Sequence, residues 1–227
     1  HVFKHAREAS VVDLLEKSDG IIKFKKVFEY YLKDFIESGL VKPHQLSLRE
    51  SFPEEKPIAL IHIDCPKTYN EFKNILFRFF PRLKKGSIVV FQDYFFHWSG
   101  TLISAVQLLV EMGVLRLSFS AASSMICEVI EQPNLGSLCE VDLKMYHENL
   151  PPIIDRALNS IASIKIDRRD HFQPRLNLAK VQLLVDAGNN IKASKEINML
   201  LKDGIINLSH VFNLSQMIER DFSYRNQ

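Results

Sequence analysis

The sequence predicts an α/β fold, a partial open sheet built on parallel strands, with a helical C-terminal appendage. Three observations carry that prediction. Two apolar runs, Ile58–Ile63 and Ile88–Phe91, lack polar alternation, as strands buried on both faces of a parallel sheet do. Between them Phe72, Ile75, Leu76, Phe79, Phe80 and Leu83 recur at helical spacing, while Glu71, Lys73, Asn74, Arg78 and Arg82 take the other face. After a Pro133, Asn134 and Gly136 cluster the remaining sequence reads as mostly helical.

The first two observations make one strand–helix–strand unit, whose strands should be parallel with a right-handed crossover. Each run ends in an acid, Asp64 and Asp93. Both acids should then leave the sheet at its carboxyl edge, where open α/β sheets bind ligands. Thr68 with Glu71 three residues on reads as a capping box, and Gly86 as the break after Lys84 and Lys85.

Elsewhere the elements follow from local pattern. Residues Ala6–Lys17 read as a helix broken at Ser18, Asp19 and Gly20. Phe24, Val27, Phe28, Tyr31 and Phe35 stripe a second helix, with Gly39 as its C′ residue. Pro43 marks a connection, Gln45–Arg49 a short strand, and Pro53–Pro57 an exposed loop. Leu102, Ile103, Ala105, Val106, Leu109 and Val110 form a helix stopped by Gly113, and Val114–Ser120 and Met125–Ile130 follow as two strands. The Glu131–Gly136 shift sets a domain boundary, giving residues 1–132 (helical to 40, strand–helix units from 41) and a helical region 133–227. Within the latter, Leu176, Ala179, Leu183 and Leu184 and then Ala193, Ile197, Leu200 and Leu201 stripe a hairpin turning at Gly188–Asn190.

Composition excludes several classes. A net charge of +2 is too near balance to argue for nucleic acid or an anionic membrane surface. No apolar run approaches the ~20 residues needed to span a bilayer. Three cysteines, Cys65, Cys127 and Cys139, are an odd number without metal spacing, which points to a cytoplasmic setting and bystander thiols. A chain that begins at His1 is read as a fragment, a processed product or an artificial boundary.

The chemistry-bearing residues cluster after the two strands. Asp64 and Asp93 with Gln92 offer the hard oxygen donors that Mg2+ takes, or else cap the following turns. His97 is read either as a base toward a hydroxyl or as a loop residue packing on Trp98. His62, inside the first run, is expected to be a core histidine, and the Phe77–Phe80 and Tyr94–Phe96 aromatics to be core rather than base-stacking groups.

The stretches IALIHIDCPKTY, LKKGSIVVFQDY and HWSGTLISAV resemble the second half of the macrocin-O-methyltransferase family. The matching positions are Asp64, Tyr69, Gly86, Asp93, Tyr94, His97, Trp98, Gly100, Ala105 and Val106, within about residues 40–130; the Glu50–Pro53 turn is loosely similar. Pro66 and Gln92 stand where the family has acids, and the Gln92 change removes a unit of ligand charge, so any metal site should be weaker. The resemblance implies a Rossmann-like class I methyltransferase sheet whose last strand is antiparallel. It also implies use of S-adenosylmethionine, metal assistance by Mg2+, and a hydroxyl acceptor such as a sugar. On that reading Asp64, Gln92 and Asp93 hold metal, and Asp64, Asp93 and His97 are catalytic. Tyr69, Tyr94 and Trp98 contact substrate.

One part of such an enzyme is missing from the pattern. None of the eight glycines lies in a Gly-x-Gly turn, which lets a backbone approach the cofactor closely, and no long apolar run precedes Ile58. The cofactor-binding half is therefore expected to be absent. The strand ending at Asp64 would be left with an open edge, to be covered by the segment near Leu46 or by another chain. A degenerate fold serving as an interaction module is the alternative reading.

Overall fold

The computed structural model describes residues 21–44, 56–64, 69–147, 150–166 and 169–215. The chain divides into two compact units, His1–Ser47 and Leu48–Gln227. The expected helix at 6–17, the strand at 45–49, the turn at 50–53 and the cap at Thr68 lie outside the described residues.

In the first unit α1 (Ile21–Tyr31) and α2 (Lys33–Glu37) replace the single expected helix, with Leu32 as the interruption. Gly39 ends α2 as predicted: it takes φ +73, where a Cβ would be strained, and its N–H donates to the Ile36 carbonyl at 3.0 Å. Phe35 of the predicted stripe is exposed.

The second unit opens with the strand–helix–strand unit, β1 (Ile58–Ile63), α3 (Tyr69–Arg78) and β2 (Leu83–Phe91). β1 and β2 are adjacent and parallel, with Ile63 level with Phe91. α3 buries Phe72, Ile75 and Leu76, each fully buried apolar side chain contributing about 1.5–3 kcal/mol. It ends at Arg78 rather than Leu83. Pro81 cannot continue an α-helix, because it lacks an N–H and crowds the preceding turn, so Phe80–Arg82 form a 3-10 turn instead.

β2 also starts earlier than the apolar run suggested. Gly86, expected to precede the strand, lies inside it at φ +85, and the pairing slips between Ile58 and Leu60. Ser87 closes this bulge: its Oγ accepts from the Lys84 N–H at 2.9 Å and donates to the Ile58 carbonyl at 2.7 Å.

α4 (Gly100–Glu111) follows and stops at Gly113, and β3 (Leu115–Ala121) and β4 (Ser124–Val129) form a hairpin. The strand order is β1-β2-β4-β3, with β4 antiparallel to both neighbours. This is the partial Rossmann-like α/β sheet expected, ending in an antiparallel strand.

Two burial expectations fail on β1. Leu60 is 61% exposed, and Ala59 and His62 are exposed as well. β1 is the edge strand among the described residues, so it has no neighbour on one side, and His62 is not a core histidine.

Four helices follow: α5 (Leu135–His147), α6 (Leu150–Ala162), α7 (Arg169–Asp186) and α8 (Asn190–Lys202). Leu138, Val141, Ile153, Ile154, Phe172 and Leu176 share one core with Val89, Phe91, Met125 and Cys127 of the sheet. α7 is apolar on two sides. Leu176 and Ala179 face that core, whereas Leu178, Val181 and Leu184 join Ala193 and Leu200 of α8 in a second cluster. The stripe read from sequence mixed these two faces.

Candidate functional site

The carboxyl ends of β1 and β2 meet as the parallel pairing requires. The Gln92 N–H donates to the Ile63 carbonyl at 2.9 Å, which sets Asp64 beside Gln92 and Asp93 one residue beyond. Asp64 is exposed; Gln92 and Asp93 are half-buried. Asp93 takes φ 56, a left-handed conformation that an aspartate adopts more readily than most residues. Its backbone turn is fixed from two sides. The Ser99 Oγ donates to the Asp93 carbonyl at 2.6 Å, and the Phe96 N–H donates to the same oxygen at 3.2 Å. The β3–β4 hairpin turn reaches this edge too, where Ser123 Oγ donates to Asp93 Oδ1 at 3.4 Å.

Next in the chain, His97–Ser99 form a 3-10 turn that leads into α4 at Gly100. The Phe96 ring stacks on the Trp98 indole, centroids 4.3 Å apart and planes 17° from parallel. His97 is 8% exposed and stands edge-on to the same indole at 4.8 Å. Of the two roles open to His97, packing is the one its burial and ring contact support.

α7 closes over this turn. Phe172 lies 5.0 Å from Phe95, and the Arg175 guanidinium carbon lies 4.8 Å from the Phe96 centroid. Gly100 sits where α7 leaves no room for a side chain.

The two tyrosines are placed away from the substrate contact that the resemblance implied, Tyr94 in the core as the aromatic cluster predicts. Tyr94 is fully buried between β2 and the aromatic turn, and its hydroxyl has no hydrogen-bond partner among the described residues. Burial, with Cys127 as the lesser cause, pushes that hydroxyl's pKa far above the usual phenol range. It reaches no solvent-facing substrate surface. The Tyr69 hydroxyl donates to the carboxylate of Asp142 on α5, and Lys73 Nζ binds that carboxylate at 2.8 Å, so Tyr69 ties α3 to α5. Asp64, Gln92, Asp93, His97 and Trp98 thus share one edge, while Tyr69 and Tyr94 are engaged in packing.

Neither implied group fits the described residues. No three His, Cys, Asp or Glu side chains among them cluster as a metal site, so the Mg2+ reading finds no support among the described residues. For S-adenosylmethionine the mismatch is in the backbone. The described positive-φ glycines, Gly39, Gly86, Gly113, Gly188 and Gly204, lie at helix ends and in the β2 bulge, and none stands in a turn leaving the carboxyl edge. Gly100, the glycine nearest that edge, is packed against α7.

A groove of about 290 Å3 opens among α6, α7 and α8, lined by Pro152, Asp155, Lys180, Leu184, Lys195 and Glu196 among others, and includes none of these residues. Lys180 Nζ bridges Asp155 at 2.9 Å and Glu196 at 3.0 Å. Burial alone would lower the Lys180 pKa; the two carboxylates outweigh it and hold the ammonium above its ordinary range. This is a tie between three helices.

Sequence reasoning missed Ser123, Asp142 and Arg175. Each acts across a distance that only strand order and helix packing close, so no local pattern announces it.

A Rossmann-like sheet with paired acids at its carboxyl edge defines a class, the α/β proteins that bind ligands above their strand ends. Within that class, residues 4–94 match the family model of a methyltransferase domain, and this stretch is methyltransferase-like. The match begins nearer the amino end than the macrocin-O-methyltransferase resemblance, stops at Tyr94, and does not single out that family. No curated protein and no solved structure matches the chain. No helix among the described residues is long and apolar enough to cross a membrane.

Proposed function

We propose that this chain carries the acceptor side of a S-adenosylmethionine-dependent O-methyltransferase fold and binds a hydroxyl-bearing small molecule such as a sugar. The observation that carries the reading is the convergence of Asp64 and Asp93 at the ends of two parallel strands, beside the Phe96–Trp98 stack. The methyltransferase-domain match, which ends one residue after Asp93, supports it. Asp93 is the acceptor for the substrate hydroxyl's proton, since its carboxylate is half-buried and held by a rigid turn. Asp64, more exposed, orients a neighbouring hydroxyl, and the Trp98 face offers an apolar wall to a sugar ring. The described residues alone do not form the cofactor cradle, so no transfer step is assigned to them.

In this reading residues 1–132 are the methyltransferase-like part, 133–227 an appendage that braces the acceptor side, and the setting is cytoplasmic. Saturation-transfer NMR against a panel of sugars and polyols tests it. Contact with at least one acceptor, weakened in Asp93→Asn, is expected; no contact with any of them would defeat the acceptor reading.

A second reading has its own observation. β1 exposes Leu60 and is an edge strand among the described residues, and such an edge pairs readily with another chain. On this view the fold is a non-catalytic interaction module, with β1 as the docking strand.

A further inference from the structure

We infer that Arg175 makes the acceptor side selective for hydroxyl compounds that also carry an oxyanion, a carboxylate or a phosphate. The inference rests on the acceptor-side reading and gives it a substrate class.

Arg175 belongs to α7, yet its guanidinium lies over the ring of Phe96, three residues after Asp93. Trp98 stacks on that same ring at 4.3 Å, so the guanidinium and the indole both adjoin Phe96. A guanidinium carries its N–H groups as a planar fork, the geometry that takes a carboxylate or phosphate with two parallel hydrogen bonds.

What makes this informative is the missing counter-charge. Arg175 makes no ion pair or hydrogen bond among the described residues, although it is half-buried. A cation withdrawn from water without a partner is costly, and an aromatic face compensates only in part. Burial accordingly lowers the guanidinium's pKa from its ordinary value. The contrast with Lys180, on the same helix, is direct: that cation is neutralised by Asp155 and Glu196. The nearest acid in the aromatic turn's own loop, Asp93, is bonded to Ser123 and forms no ion pair with Arg175. A guanidinium beside the aromatic turn, with no counter-charge among the described residues, is a receptor for an anion.

The chain has one tryptophan, Trp98, so intrinsic emission reports on this stack alone. The experiment titrates inorganic phosphate, glucuronate, glucose 6-phosphate and glucose into the full chain at constant ionic strength. Saturable changes in Trp98 emission are expected with the three anions, with glucose weaker by about tenfold or more, as a charge-assisted pair predicts. The two anionic sugars show whether carboxylate or phosphate is preferred. Arg175→Met should lose the anion response. Arg175→Lys, which keeps the charge without the fork, should keep a weakened one, and thermal unfolding of both variants confirms that they are folded. Glucose binding as tightly as the anionic sugars, or an anion response that survives Arg175→Met, overturns the inference while leaving the acceptor reading intact. Saturation by phosphate with no sugar binding supports the oxyanion site and overturns the acceptor reading instead. Silence toward all four ligands overturns the inference.

Discussion

A Cβ added to Gly100 would lie 2.7 Å from Leu183 Cγ and 3.0 Å from the Ala179 carbonyl oxygen. The turn that carries His97 and Trp98 is therefore fitted against the backbone of α7 rather than left open. Gly100→Ala should destabilise the protein by about 1–3 kcal/mol, the usual cost of overpacking, even though alanine is the better helix former. Urea denaturation followed by Trp98 emission measures this. An unchanged midpoint would show that α7 does not press on the turn.

Tyr94 supplies a test in the opposite direction. Its buried hydroxyl lacks a partner among the described residues, and an unsatisfied buried donor costs about 1–3 kcal/mol. Tyr94→Phe should accordingly be neutral or stabilising in thermal unfolding. A loss of stability would mean that the hydroxyl meets a bound group or a buried water.

Acid should weaken the contact between α4 and α6. Glu111 and Arg156 pair at 2.7 Å across these helices. Burial alone would raise the Glu111 pKa; hydrogen bonds from Arg156 and Gln107 outweigh it and hold the carboxyl below its ordinary value. A carboxylate with a depressed folded-state pKa contributes its stability in full above the unfolded value and loses it as pH falls through the folded one. Arg156→Met should therefore lower stability near pH 7 by less than about 1 kcal/mol, since the pair is partly solvated, and match wild type at strongly acid pH. An equal difference at both ends would contradict the pairing.

The β1 edge makes the interaction reading measurable. Leu60→Lys places a charge on an exposed apolar edge position, a common protection against strand pairing. Sedimentation should show concentration-dependent association that this change reduces. A wild type that stays monomeric at high concentration would remove self-association through β1.

How much of this was legible in the sequence differs by element. β1, α3 and β2 were readable because apolar runs and a 3.6-residue stripe are local signals, and their order dictated the parallel pairing. The extent of β2 was not, since Gly86 reads as a break and only the partner strand turns it into a bulge. Pro81 is a local signal for the early end of α3, and the apolar stripe continuing to Leu83 runs past it. At the site, Asp64 and Asp93 were found because strand ends carry them. The burial of Tyr94 was legible in its aromatic cluster, whereas the capture of Tyr69 by Asp142 depends on α5, which lies far along the chain.

The central proposal is that the carboxyl edge serves an acceptor while the described residues form no glycine cradle for the cofactor. Isothermal titration of the full chain with S-adenosylmethionine, paired with thermal unfolding at millimolar cofactor, tests it most directly. The account predicts no saturable heat and no rise in Tm. Binding at a hundredfold excess over Kd would add about 2.7 kcal/mol of stability, an effect readily seen. Saturable heat with such a rise would contradict the claim and make the chain a complete methyltransferase site.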